Sequence, residues 1–218
     1  MNDTELKNLW QSSNEKIEMN LHLNQKNSND ITRLKVYHYL SSMKPTKLFA
    51  LAVGLIWVGV GLVVLSNLYI HGYNEVPKFL LYSATIQIGI TAIAIWIYLY
   101  QLITIYRIDN TQPILQTQQQ LTSLKTSTLW VTRILFLQLP VWTTFYWNQS
   151  MLENENWVLW IIQGIITASF LYLSIWLFIN IKFENRHKKW FLLMFSGKEW
   201  TPLMNSMELL EEIEDYKK

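Results

Sequence analysis

The sequence predicts an all-α integral membrane protein, four transmembrane helices with cytoplasmic helical extensions, and three observations predict it. Long uncharged apolar runs recur, among them LFALAVGLIWVGVGLVVLSNLYI from Leu48 to Ile70 and FLLYSATIQIGITAIAIWIYLYQLITI from Phe79 to Ile105. A hydrocarbon core about 30 Å thick needs roughly 20 apolar helical residues, and each run is long enough. All but one of the 18 Lys and Arg residues fall on one side of the topology these runs define, the exception being Lys78. Beyond the runs, apolar residues recur at helical spacings of three and four.

Composition narrows the chemistry. Half of the 218 residues are apolar, which would also suit a soluble domain if they were spread evenly, and they are not. The net charge of +2 says little about partners, whereas the distribution of charge says much. With no cysteine, disulfides, thiol catalysis and thiolate metal sites are all excluded. Residues 1–47 are polar and charged, unlike a secretory signal, so the first span is expected to be an uncleaved anchor.

Residues 1–47 read as a cytoplasmic helical arm. Leu6, Leu9, Trp10, Ser13 and Ile17 form a helical stripe, a polar gap HLNQKNSND follows as a flexible link, and Asp30 is placed to cap a second short helix over Ile31–Leu40. Pro45 then punctuates the approach to the first span, residues 48–70; the second covers 79–105. Residues 106–128 read as a cytoplasmic helical hairpin. A turn at Asp109–Pro113 precedes Ile114, Thr117, Leu121, Leu124, Thr128 and Val131, a heptad seam with glutamines on its outer face.

The third span, 129–147, is the least regular because it holds Arg133, Gln138 and Pro140. If it did not cross, the fourth span, 157–181, would carry Lys182, Arg186, Lys188 and Lys189 to the outer side, against the positive-inside tendency. Arg133 lies near the inner end, where its side chain can reach the headgroups. Pro140 frees the Phe136 carbonyl, so a kinked packing helix is expected, with Gln87, Gln138 and Gln163 as intramembrane polar packing residues. Ala50 with Gly54, Thr85 with Gly89 and Gly164 with Ala168 are small pairs four apart, suited to helix packing within the chain or to a homo-oligomer contact.

Residues 182–218 form a cytoplasmic tail. Its basic, aromatic junction KFENRHKKWFLLMF suits an anionic headgroup layer and makes membrane lipids a partner. Thr201 and Pro202 then open a helix whose stripe, Leu203, Met207, Leu210 and Ile213, opposes an acidic face and should pack on protein.

No catalytic residue, cofactor-binding residue or metal site is predicted. The histidines lack ligand spacing, no glycine-rich phosphate loop or nucleophile elbow occurs, and the spread of Lys and Arg argues against nucleic acid. The stretches NEKIEM, LQLPVWTTFYW and FSGKEWTP resemble uncharacterised bacterial four-span inner-membrane proteins. That resemblance implies an association with extracytoplasmic-function sigma factors and a membrane-tethered regulator. The chain departs from a zinc-type anti-sigma domain in lacking its His and Cys set. Three readings stay open. The first is a non-enzymatic tether for a cytoplasmic partner, which Leu6, Leu9, Trp10 and Ile17 would bind. Next comes a structural or assembly subunit of a membrane complex, and last a small transporter or channel.

Overall fold

The computed structural model describes residues 3–108, 112–147, 157–197 and 200–215. Among them every regular element is helical and no strand occurs. In chain order these are α1 (Asp3–His71), α2 (Lys78–Arg107), α3 (Ile114–Phe136), α4 (Leu139–Thr144), α5 (Trp157–Asn180), a 3-10 turn (Phe183–Asn185), α6 (Lys189–Phe195) and α7 (Trp200–Asp215). Three of them, α1, α2 and α5, are long and apolar enough to cross a membrane.

Helix α1 differs from expectation. Its 69 residues run unbroken through both the HLNQKNSND gap and Pro45, roughly 100 Å at 1.5 Å per residue, so the two-helix arm with a flexible link is not what forms. The gap holds no glycine or proline, and its Asn, Ser and Gln each cost under about 0.7 kcal/mol in a helix. Continuing a formed helix costs less than ending it and nucleating another. Pro45 is tolerated because it lies on the exposed side of α1, opposite the buried row Val36, Leu40, Met43 and Lys47. The hydrogen bond it removes is therefore lost outside the contact.

Helices α1 and α2 pack antiparallel. Gly54 lies against Ile95 and Gly61 against Ile88, so each step along one helix is matched by an equal step back along the other. A Cβ on Gly54 would come within 3.1 Å of Ile95, and one on Gly61 would overlap the Ile88 side chain. Gly89 and Gly164 face open space, so of the three small pairs only the one containing Gly54 marks a close approach.

Helix α3 returns along α2, with the seam residues Thr117, Leu121, Leu124, Thr128 and Val131 all buried, while Gln116 and Gln119 face outward. The Asp109–Thr111 part of the expected turn lies outside the described residues. The predicted third span is broken rather than kinked: α3 stops at Phe136 and only a short helix follows. At the break the Leu137 N–H donates to the carbonyls of Arg133 and Ile134 at 3.3 and 3.1 Å, and the Gln138 N–H to Leu135 at 3.2 Å. This tightened turn ends where Pro140 has no N–H for the Phe136 carbonyl. Regular bonding resumes with the Trp142 N–H on Gln138 at 3.2 Å.

The closed hydrophobic core sits at one end of the bundle, where Val36, Leu40 and Met43 of α1 meet Ile105, Ile108, Leu121, Leu124, Leu177 and Ile181. Phe191, Phe195, Trp200 and Leu203 of the tail complete it. Helix α7 packs on α1 and α3, burying Leu203 and Ser206. The junction aromatics, expected at a headgroup layer, pack on one another and on α5. Phe191 is fully buried, stacked on Phe195 at 4.2 Å between ring centroids, and Trp190 rests on Trp176 at 5.0 Å. What α6 presents outward is Leu192 and Leu193, the latter 82% exposed, beside Lys188 and Lys189.

Candidate functional site

Polar side chains of α2 and α5 converge on the break between α3 and α4. The Gln138 amide donates to Thr91 Oγ1 at 3.2 Å, and Thr91 in turn donates to the Gln87 carbonyl at 2.8 Å. From the other side the Gln163 amide donates to the Thr143 carbonyl at 2.7 Å. Thr143 Oγ1 donates to the Pro140 carbonyl at 2.7 Å and lies 3.1 Å from Thr167 Oγ1. The hydroxyls of Ser83 and Thr144 pair at 2.8 Å. Thr91 of α2 and Gln163 of α5 thus meet the break that holds Gln138 from two neighbouring helices, and the Gln87 side chain is buried one turn from Thr91. These are neutral amides and hydroxyls, which pack helices at roughly 0.6 kcal/mol per bond and neither gain nor lose a proton at neutral pH.

A second polar contact lies nearer the closed core, and the sequence reading did not single it out. Lys47 is only 1% exposed; its ammonium donates to Gln101 Oε1 at 2.7 Å and lies 4.5 Å from the centre of the Tyr98 ring. Gln101, itself fully buried, donates from Nε2 to Ser127 Oγ at 3.2 Å, and Ser127 donates to the Leu124 carbonyl at 3.0 Å. One chain of bonds therefore joins α1, α2 and α3. The signal was present in the spacing: Val36, Leu40, Met43 and Lys47 follow each other at four, three and four, placing the lysine in the apolar row.

Ser127 also forms part of an open groove of about 670 Å³ between α2 and α3. Trp96, Tyr100 and Trp130 wall it, and the Tyr100 and Ser123 hydroxyls meet at 2.7 Å. None of its lining residues is charged.

Several cations at this end of the bundle rest on aromatic faces. Lys44 stands 5.4 and 4.6 Å from the ring centres of Tyr37 and Tyr106, and Lys125 and Arg186 share Phe183 at 4.2 and 4.3 Å. Arg133, expected to reach toward headgroups, is engaged by its own chain. Its Nε donates to the Ile181 carbonyl at 2.7 Å, just past the end of α5, where a cation meets the negative end of the helix dipole.

The arm of α1 is the other feature of note. From Trp10 to Leu34 nearly every side chain is outward; Trp10 is 74% exposed, and Ile17, Met19, Leu21 and Leu23 are exposed with it. Leu6 and Leu9 lie on the same helix, with their side chains outside the described residues. The candidate partner-binding residues and the three glutamines therefore lie on separate parts of the fold. Among the described residues, no three of His, Asp and Glu converge as a metal site would require.

No family model, curated protein or solved structure matches the chain. Fold and site define a class: an all-helical chain with three helices of membrane-crossing length, a neutral polar seam between helices, and a long exposed helical arm.

Proposed function

We propose that this is a non-enzymatic integral membrane protein that tethers a cytoplasmic partner through its amino-terminal arm. The observation that carries the reading is the arm itself: it leaves the bundle as an uninterrupted continuation of the first apolar helix and displays Trp10 and Ile17, 74% and 53% exposed. A long apolar stripe held away from its own core suits a partner helix.

Membrane insertion is supported by where apolar residues point. The most apolar windows of α1 and α5 are only 6% buried, so the greasiest surfaces of the molecule face outward, which is favourable in lipid and costly in water. Helix α4, with the end of α3, supplies the fourth crossing in this reading, and its broken backbone is tolerated because protein side chains meet it. Both chain ends then lie with the basic residues in the cytoplasm, and a bacterial inner membrane is the setting the sequence resemblance suggests. That resemblance also suggests a regulatory partner. The neutral seam holds no carboxylate, lysine or histidine to couple to ions or protons, which disfavours a coupled transporter.

A photo-crosslinking residue in place of Trp10 tests the tether in intact cells. It should capture a cytosolic protein, whereas the same probe at lipid-facing Trp57 should not. Self-crosslinks alone from position 10 would remove the tethering reading.

A further inference from the structure

We infer that the arm of α1 pairs with the same arm of a second copy as a parallel, in-register two-stranded coiled coil, its seam formed by Ile17, Asn20, Asn24, Asn27, Ile31 and Leu34. This rests on the membrane reading above, and its seam shares Ile17 with the stripe proposed for a cytosolic partner, so the test below tells the two occupants apart. The six residues follow one another at three, four, three, four and three, the spacing of alternating core positions in a heptad. They all lie on one continuous helix, a condition the expected flexible link would have broken.

The seam is free to be used. At 3.6 residues per turn its row runs along the side of α1 opposite Val36, Leu40 and Met43, which the protein's own core covers. Ile31 and Leu34, at the root of the arm, are each 53% exposed. A second helix can therefore dock there without displacing α7 or α3.

The chemistry of the central layers selects the occupant. Asn20, Asn24 and Asn27 are consecutive core layers, and a carboxamide both donates and accepts. The residue that satisfies each is another amide at the same height, which an in-register copy supplies three times over. An apolar partner helix or a lipid surface would bury three amides without partners, at about 1–3 kcal/mol apiece. Flanking charge agrees: in a parallel in-register pair Asp30 of one arm faces Lys35 of the other, the usual relation of interhelical ion pairs. Two copies inserted with the same orientation are already parallel, and confinement to one membrane raises their effective concentration, which offsets the weakness of amide layers.

The absence of cysteine makes the test clean. Single Cys variants of the full-length chain, Asn24→Cys and Asn27→Cys at seam positions and His22→Cys on the outer side of the helix, are expressed in membranes and treated with a mild oxidant. Disulfide-linked dimer is expected at 24 and 27 in several-fold excess over 22. Equal yields at all three, or none at 24 and 27 with Ile17→Cys also silent, would overturn the pairing. In the Asn24→Cys background, Asp30→Lys should lower the yield and adding Lys35→Asp should restore it; no restoration rules out this register. Capture of a cytosolic protein from position 10 without dimer at 24 sinks the pairing and leaves the tether, and the converse result sinks only the tether.

Discussion

Replacing Gln101 with leucine would remove an acceptor of the Lys47 ammonium and the donor to Ser127 in one step. Hydrogen bonds to charged groups contribute about 1.5–3 kcal/mol. With the Tyr98 ring still beside the ammonium, Gln101→Leu should destabilise by about 2 kcal/mol, visible as a lower Tm by tryptophan fluorescence in detergent. The double variant Lys47→Met with Gln101→Leu should recover most of that loss, since an apolar pair of similar volume has no charge to satisfy. A double variant as unstable as Gln101→Leu alone would contradict this account. Lys47 also shows how a single residue escapes a linear reading. Counted by position it is one more basic residue beside the first apolar run, and only the approach of α2 brings Gln101 and Tyr98 to it. Arg133 is similar: its place near the start of an apolar run was legible, whereas its bond to the end of α5 depends on a residue far along the chain.

Pairing of α1 with α2 hinges on two glycines of α1 that admit Ile95 and Ile88. Gly61→Val should force the helices apart and cost about 1–3 kcal/mol, because a branched side chain must displace buried Ile88. Gly89→Val, in open space, should leave thermal unfolding nearly unchanged apart from a small propensity effect. Equal losses for the two would show that Gly61 is not the close contact. Elements with a strong period were legible: the seam of α3 from Thr117 to Val131 is buried where the heptad placed it, the Ile114 side chain lying outside the described residues, and the α7 residue Leu203 is enclosed. Breaks were harder. Polar composition marked a link in α1 that helical continuity overrode, and Pro45 was absorbed on an exposed side, whereas Pro140 ended a helix because the i−4 bond it removes coincides with a tightened turn. A proline's effect depends on what surrounds the freed carbonyl, and local sequence does not report that.

At the scale of the whole molecule, the decisive quantity is the number of crossings. If the end of α3 and α4 together form a crossing, reporter fusions at both chain ends should be active only in the cytosol. An exported carboxyl end with a cytosolic amino end would leave three crossings, by α1, α2 and α5 alone. Hydropathy and helical period are properties of neighbouring residues, so the sequence by itself determined the helical class, the apolar lengths of α1, α2 and α5, and the uneven placement of Lys and Arg along the chain. Which glutamines meet the broken segment, the burial of Lys47, the aromatic closure around Phe191 and the continuity of the arm were decided only by the tertiary structure. Each depends on contacts between residues distant along the chain, or on a balance between ending a helix and extending it, that no single stretch contains.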